Sequence, residues 1–152
     1  PGVYMFSDLM QAHFGWGTID DIAVSVLATV IGHRTDLDQI LIDAGGLALS
    51  KDRGMDSRDK NIGLGLVCDV TAQPIQGLYV DDSHQEHGII KAAPGSSIPW
   101  DDLPIGSRVR VLPVHACMTA AAHEYYNVVD EGPDGQEDYA TLTIWKRQNG
   151  WY

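Results

Sequence analysis

A histidine and a cysteine stand two positions apart, at His115 and Cys117. They follow a β-like run at residues 107–112, and side chains two apart point to the same side of an extended strand. Imidazole nitrogen and thiolate sulfur are ligands that zinc prefers, and two protein ligands leave coordination positions open to water or substrate. The alternative, that His115 is a hydrogen-bonded core residue and Cys117 a small buried apolar one, stays open on this pattern alone.

The rest of the chain predicts the scaffold for this pair. Short β-branched runs separated by turn residues are typical of an all-β barrel or sandwich. Residues 1–17 predict a short strand and a loop, and residues 22–32 favour a strand over the helix that a capping box at Thr18 would begin. A helical turn is expected within residues 119–125 and an exposed polar loop at residues 51–61. Further strands are predicted at residues 39–43, 63–70, 78–82, 88–92, 107–112, 126–131 and 141–146.

Composition excludes several classes of function. The 152 residues carry a net charge of −11, with 21 acidic against 10 basic side chains, so no basic stripe is available for nucleic acid. No apolar run approaches the roughly 20 residues that a membrane-spanning helix needs. Two cysteines without a secretory signal favour reduced thiols and a cytoplasmic setting. The chain opens on Pro1 without a methionine, and we expect it to be the back part of a longer polypeptide.

Motifs along nearly the whole chain resemble those of a known family. The chain is similar, in the right order, to the eukaryotic-type D-serine dehydratases, and to the related bacterial D-threonine aldolases. The resemblance is carried by residues 1–8, 26–30, 43–45, 48–50, 52–54, 83–88 and 113–117 with Thr119, and by Val128, Val129, Ile144, Trp145, Gly150 and Trp151.

The resemblance implies a fold and a domain division. Members of this family are fold-type III enzymes, in which an alanine-racemase-like TIM-type barrel binds pyridoxal 5'-phosphate through a lysine and a C-terminal β domain carries a metal. Residues 1–17 would be the last barrel strand with its linker, and residues 18–152 the mainly β, barrel- or sandwich-like metal-binding domain. Partners would be the chain's own N-terminal barrel and a second subunit in a homodimer.

The lysines of this chain depart from the family pattern. Lys51, Lys60, Lys91 and Lys146 match no cofactor-lysine position. We therefore expect these 152 residues alone to be inactive.

The resemblance also implies a reaction. His115 and Cys117 fall on metal-ligand positions, and cysteine at the second position favours the zinc dehydratases over the aldolases, which have aspartate there. Zinc would act as a Lewis acid on the β-hydroxyl during β-elimination of D-serine to pyruvate and ammonia. Two alternatives stay open: a retro-aldol lyase of the D-threonine aldolase type, and a non-catalytic metal-binding β module.

Catalytic assistance is expected from three residues. Glu86 and His87 lie in a shared motif, and Glu86 is a candidate to hold the other ring nitrogen of a metal-bound histidine; as an alternative it is a strand-edge carboxylate. Asp43 would face the mouth of the pocket or cap a turn. His123 is considered, and not favoured, as a third zinc ligand. Cys68 is predicted to be a core residue.

Contact with the cofactor phosphate is expected near the start of the chain. The resemblance places this segment beside the pyridoxal phosphate, so Gly2 and Val3 would offer backbone amides and Tyr4 a side chain. The alternative for Tyr4 is an aromatic ring packed at the end of a strand.

Overall fold

The structure, a computed structural model, describes residues 3–54, 62–131 and 137–148. Within these ranges eight strands are joined by turns and three short α-helices. The strands are β1 Val26–Arg34, β2 Gln39–Ile42, β3 Gly65–Cys68, β4 Pro74–Ser83, β5 Gly88–Ala92, β6 Arg108–Pro113, β7 Tyr125–Glu131 and β8 Glu137–Lys146, and the helices are α1 Leu9–His13, α2 Gly46–Leu49 and α3 Ala116–Ala121.

Six strands close into an antiparallel barrel in the order β1-β2-β5-β4-β3-β6, with β6 pairing back onto β1. Alternate residues point inward because side chains in a strand repeat every two positions. In β1 the inward positions Val26, Ala28 and Val30 are buried, whereas Leu27 between them is exposed. The barrel interior is filled by aliphatic side chains, among them Ile40, Ile42, Val67, Leu78, Val80, Ile90, Val109 and Val111. The predicted mainly β, barrel-like fold is confirmed.

A second apolar cluster lies on the outer face of the barrel. Leu112 and Cys68 point outward from β6 and β3, and Leu9 of α1 packs over them together with Val114. This cluster attaches the first helix to the strand that leads into His115, so the N-terminal segment and the candidate site share one structural support.

The short strand predicted within residues 1–17 is wrong for the described part of that segment. Residues Val3–Met5 form a 3-10 turn and α1 follows. The carbonyl of Val3 accepts from the amides of Phe6 and Ser7, and Ser7 has a φ of 55°, which breaks an extended backbone. Asp8 then begins α1 by accepting a hydrogen bond from Gln11 N at 2.9 Å. The domain boundary after residue 17 stays a prediction.

The other strand predictions agree with the structure within a few residues. The ambiguous segment at residues 22–32 is strand from Val26, after a 3-10 turn at Ile19–Asp21 whose Thr18 and Asp21 form the capping box. The predicted helical turn is found three residues earlier, as α3. Of the predicted loop at residues 51–61, residues 55–61 lie outside the described ranges. In the part of the chain that the structure describes, no helix is long and apolar enough to cross a membrane.

The last two strands form a separate antiparallel hairpin. β7 and β8 pair with each other and not with the barrel. Phe6 meets Tyr126 of β7 edge to face, with ring centroids 5.2 Å apart, and Arg147 Nη1 donates to the carbonyl of Ala121 at 2.6 Å. The hairpin therefore rests on the N-terminal segment and on the end of α3.

Candidate metal centre

His115 and Cys117 lie at the junction of a strand and a helix. β6 ends at Pro113, His115 is the N-cap of α3 with extended backbone (φ −130°, ψ 98°), and Cys117 is the second residue of the helix. The prediction that both side chains share one face of an extended strand is wrong in this respect, because the backbone turns helical at Ala116. Both side chains are half-buried, so neither is sealed in the core.

A carboxylate holds one nitrogen of the histidine ring. Asp52 Oδ2 lies 2.6 Å from His115 Nδ1. The amide of Gly54 and the ring of His115 both donate to Asp52, and these bonds hold the pKa of its carboxyl below the ordinary value against the opposing effect of burial. An ionised carboxylate only accepts, so Nδ1 carries the hydrogen. In the described part of the chain Nε2 has no hydrogen-bond partner, and in the neutral ring this nitrogen carries the lone pair that a ligand site needs.

The helix that carries Cys117 is docked onto α2 by two side chains. Thr119 is buried and donates from Oγ1 to the carbonyl of Leu49 at 2.8 Å, and His123 Nε2 lies 3.0 Å from the carbonyl of Ala48. These carbonyls belong to the end of α2, where a short helix leaves its last carbonyls without internal partners. Both bonds fix the position of α3, and His123 has a structural role.

A buried carboxylate holds the residue between the two candidate ligands. Asp8 is fully buried; its Oδ2 accepts from Ala116 N at 2.9 Å while its Oδ1 accepts from Gln11 N. One side chain therefore caps α1 and satisfies the first free amide of α3. The backbone between His115 and Cys117 is tied to the N-terminal segment by this contact.

The donors at this site suit a borderline-soft divalent ion. His115 offers an unpaired imidazole nitrogen and Cys117 a free, half-buried thiol. Within the described ranges no group of three or more His, Cys, Asp or Glu side chains is placed to hold a metal ion, so His115 and Cys117 are the two candidate protein donors. Such a site leaves positions for water or substrate, as catalytic metal sites do. The other cysteine, Cys68, is buried in the apolar cluster beneath α1, and desolvation raises its pKa to about 11, which favours a neutral thiol.

None of the three residues expected to assist catalysis has a described hydrogen bond to His115, and their catalytic role stays a prediction. Glu86 is exposed and accepts from Gln85 Nε2 at 3.1 Å, so it is Asp52 and not Glu86 that contacts His115. His87 is exposed, and its carbonyl accepts from the amide of His84 in the turn between β4 and β5. Asp43 is exposed and accepts from Thr29 N at 2.6 Å, as a cap where β1 and β2 part.

The turn that contains Glu86 and His87 supports α2 through its backbone. Gly46 N and Leu47 N donate to the carbonyls of His84 and Gln85. A Cβ on Gly45 would overlap the backbone of residues 85–87, so only glycine allows this approach. Residues 83–88 therefore position α2, which in turn positions α3.

The expected phosphate contacts are only partly described. Gly2 lies outside the described residues. Val3 and Tyr4 lie in the 3-10 turn, and Tyr4 is 89% exposed, so its ring is not packed at the end of a strand. Contact with a phosphate stays a prediction for Val3 and Tyr4.

Sequence reasoning assigned no role to Asp52 or Asp8. Asp52 belongs to a stretch that was expected to be an exposed loop, although Asp followed two residues later by Gly indicates a hydrogen-bonded Asx turn. Asp8 precedes Gln11 at the spacing of a capping box, which marks a helix start. These local signals predict turns, and they say nothing of the distant partners His115 and Ala116.

Comparison with known proteins places this chain in a family. A family model described as "Putative serine dehydratase domain" matches residues 23–129. D-threo-3-hydroxyaspartate dehydratase of Delftia sp. is 38% identical over 99% of this chain, and D-serine dehydratase of Dictyostelium discoideum is 36% identical over 86% of it. The chain belongs to the D-serine dehydratase-like family. It spans 38% and 32% of the lengths of these two relatives, so it corresponds to one part of each of them.

Solved structures agree with this assignment. The Delftia enzyme superposes with a TM-score of 0.84 at 38% identity, over 98% of this chain and 38% of that one. An alanine-racemase-like protein of Idiomarina loihiensis gives 0.82 at 36% identity, over 98% and 38% of the two chains. D-threonine aldolase of Filomicrobium marinum, with 0.58 at 24% identity over 96% and 34%, shares the fold. Two single variants of D-threo-3-hydroxyaspartate dehydratase were also solved. In one a histidine is replaced by alanine, and in the other the cysteine two positions after it is replaced by alanine. The structure of the cysteine variant is in a metal-free form.

Proposed function

We propose that this chain is the metal-binding part of a pyridoxal-phosphate-dependent dehydratase that acts on a D-β-hydroxy amino acid of the D-serine class. The observation that carries the proposal is the pair at the start of α3: His115, with Nδ1 held by Asp52 and Nε2 free, two residues before the free thiol of Cys117. The substituted histidine and cysteine of the Delftia enzyme have the same spacing, and loss of that cysteine accompanies a metal-free form.

The residues of this chain would bind the ion and leave part of its coordination sphere open. Nitrogen and thiolate sulfur suit zinc, and with two protein donors the remaining positions are available to oxygen ligands. A divalent ion held there would supply Lewis acidity toward the β-hydroxyl, which otherwise leaves as the poor leaving group hydroxide. Asp52 would orient the ring of His115, and the bonds from Thr119 and Asp8 would keep α3 in place.

The remaining chemistry would come from the part of the enzyme that precedes this chain. Pyridoxal phosphate on a barrel domain would supply the electron sink for removal of the α-proton. Exposed apolar side chains in the N-terminal segment, Tyr4, Met5, Phe14 and Trp16, support its packing against that domain. The inactivity of residues 1–152 alone, the homodimer and the cytoplasmic setting belong to this proposal; the free state of both cysteines is consistent with the last.

Product analysis of the full-length protein tests the reaction. D-serine, D-threo-3-hydroxyaspartate and D-threonine are supplied with and without a chelator. Pyruvate, oxaloacetate or 2-oxobutyrate, each with ammonia, indicates dehydration of the three substrates in that order, whereas glycine from D-threonine indicates retro-aldol cleavage and contradicts the proposal. Bound metal without turnover of any of the three would favour the non-catalytic module.

Two substitutions test the ligands. Because a Lewis acid contributes several kcal/mol to such a step, His115→Ala and Cys117→Ala are expected to lower kcat/KM by about 100-fold or more. Both are also expected to lose zinc on dialysis, measured by elemental analysis. Cys68→Ala is the matched control and is expected to keep its metal, since the Cys68 thiol lies buried beneath α1. Full zinc content in the His115 and Cys117 variants would contradict the assignment.

A further inference from the structure

Each oxygen of the Asp52 carboxylate accepts one hydrogen bond. Its Oδ1 accepts from Gly54 N at 2.8 Å and its Oδ2 from His115 Nδ1 at 2.6 Å. The side chains of His115 and Asp52 are 24% and 36% exposed, so the contact is partly shielded from water. Distances of this length between a charged acceptor and an N–H donor are typical of strong, charge-assisted hydrogen bonds.

The turn that contains Asp52 packs against the residues between β6 and α3, and it is hydrogen-bonded to α3. Asp52 N donates to Ser50 Oγ at 3.2 Å. Gly54 adopts a φ of +58°, and a Cβ there would lie 2.8 Å from Val114 Cγ1 and 3.4 Å from His115 Cβ. Only glycine allows this close approach. At the other end, the carbonyl of Leu49 is held by Thr119 of α3.

These contacts restrict both the rotation and the tautomer of the imidazole ring. A neutral imidazole carries its hydrogen on either nitrogen, and an acceptor at Nδ1 selects the form with Nε2 unprotonated. We infer that Asp52 is a positioning residue that fixes the Nδ1–H tautomer of His115, so that Nε2 is presented to a divalent ion beside Cys117. The inference rests on the proposed function, and it adds the residue that sets which nitrogen binds.

The tautomer is read directly from the metal-free, full-length protein. Long-range ¹H–¹⁵N spectra distinguish the two nitrogens, and the His115 signals are assigned by their loss in H115Q. The unsubstituted protein is expected to show the Nδ1–H form. In Asp52→Ala the acceptor is gone, and in Asp52→Asn the amide can turn either its oxygen or its nitrogen toward the ring, so both tautomers are expected. A single Nδ1–H form in both variants would overturn the inference.

Metal affinity is the second readout. Removal of a partner that orients a ligating histidine typically costs about 10- to 100-fold in metal affinity. Titration with Co²⁺, followed by its visible absorption and by competition with a chelator, is expected to show a loss in that range for Asp52→Ala and a smaller loss for Asp52→Asn. An affinity in both variants equal to that of the unsubstituted protein would overturn the inference.

Asp69→Asn is the matched control. Asp69 Oδ1 accepts from the amides of Thr71 and Gln73 in another turn, with no histidine. This variant is expected to keep both the tautomer and the affinity, and circular dichroism verifies that every variant is folded; if Asp52→Ala does not fold, Asp52→Asn carries the test.

The outcomes separate the inference from the proposed function. If the unsubstituted protein binds neither Co²⁺ nor Zn²⁺, the proposed function fails, and the inference fails with it because there is no ion for Nε2 to meet. If it binds metal and the Asp52 variants behave like Asp69→Asn, only the inference is overturned.

Discussion

The two nitrogens of a histidine ring are used differently at two positions of this chain. At His115 the bond to Asp52 occupies Nδ1 and leaves Nε2, whereas at His123 the bond to the carbonyl of Ala48 occupies Nε2. Both residues follow β6 within a few positions of each other, and sequence spacing alone does not separate them. Their hydrogen-bond partners determine which nitrogen is occupied: Nδ1 at His115 and Nε2 at His123, so the opposite ring nitrogen is left in each.

The two thiols differ in burial, since Cys68 is buried and Cys117 is half-buried. The buried thiol of Cys68 makes the stability of the folded chain depend on pH. Burial raises the pKa of Cys68 from 9.0 to about 11 in the folded chain. Between these values the unfolded chain has lost the thiol proton while the folded chain keeps it, so the free energy of unfolding falls as pH rises. At about 1.4 kcal/mol for each pKa unit, the loss from this group approaches 2–3 kcal/mol above pH 11.

Cys68→Val tests this dependence. The variant removes the titrating thiol and keeps an apolar side chain beneath α1, so the difference in unfolding free energy between it and the unsubstituted chain is expected to change by that amount between pH 8 and pH 11. Urea unfolding at several pH values measures the difference. Protonation of Tyr79 and Lys91 contributes equally to the stability of both chains, so it cancels from the difference. A difference that is constant with pH would contradict the assignment.

At the scale of elements, the start of α3 is supported from two sides. Asp8 reaches Ala116 from the N-terminal segment, and α2 reaches Thr119 through the carbonyl of Leu49. The turn at residues 83–88 holds α2 in turn through backbone carbonyls. The candidate ligands thus depend on segments from three separate parts of the chain.

Asp8→Ala is expected to lower the free energy of unfolding by about 2–5 kcal/mol. It removes the buried carboxylate that accepts two hydrogen bonds, and the amides of Gln11 and Ala116 lose their acceptor. Asp36→Ala, which breaks an exposed pair with Arg34, is the control and is expected to cost much less, because water screens that pair. Urea unfolding followed by circular dichroism compares them. Equal costs would show that Asp8 does not support α3.

The barrel strands were predictable, whereas α1 was missed and α3 was expected three residues later than it begins, for a physical reason. Alternation in β1 and the Gly- and Pro-containing turns reflect local sequence, because one face of each strand meets the core. α1 and α3 are five and six residues long, too short to be stable alone, and tertiary contacts such as the bond between Asp8 and Ala116, 108 positions apart, stabilise them.

The candidate site was also predictable only in part. The spacing of His115 and Cys117 is visible in the sequence, and their residue types indicate metal chemistry. Asp52 lies 63 positions before His115, and only the closed barrel brings the two together. Glu86 was a candidate for that contact because it is a carboxylate in a motif of the family, with a strand-edge carboxylate as the alternative. The fold uses the backbone of its turn instead.

At the scale of the whole molecule, the barrel and the hairpin differ in how many neighbouring strands stabilise each of their strands. Each barrel strand pairs on both sides around a continuous aliphatic core, whereas β7 and β8 pair only with each other. An isolated two-stranded hairpin is marginally stable in water. The contact of Phe6 with Tyr126 and the bond of Arg147 to Ala121 are therefore important to its order.

Hydrogen exchange on the 152-residue chain tests this difference. Amides of β1–β6 are expected to exchange with free energies near that of global unfolding, and those of β7 and β8 at least tenfold faster, because local opening of the hairpin leaves the core intact. Phe6→Ala is expected to accelerate exchange in the hairpin and to leave β2 and β5 unchanged. Equal protection in hairpin and barrel would show that they unfold as one unit.

Closure of the barrel restricts how another polypeptide can join this molecule. All six of its strands have neighbours on both sides, so none offers a free row of amides and carbonyls for an added strand. Among the described strands, only β7 and β8 have an open edge. Contact with a neighbouring domain or subunit at any other surface must therefore be made by side chains and turns, and its specificity will follow their shape and charge rather than main-chain pairing.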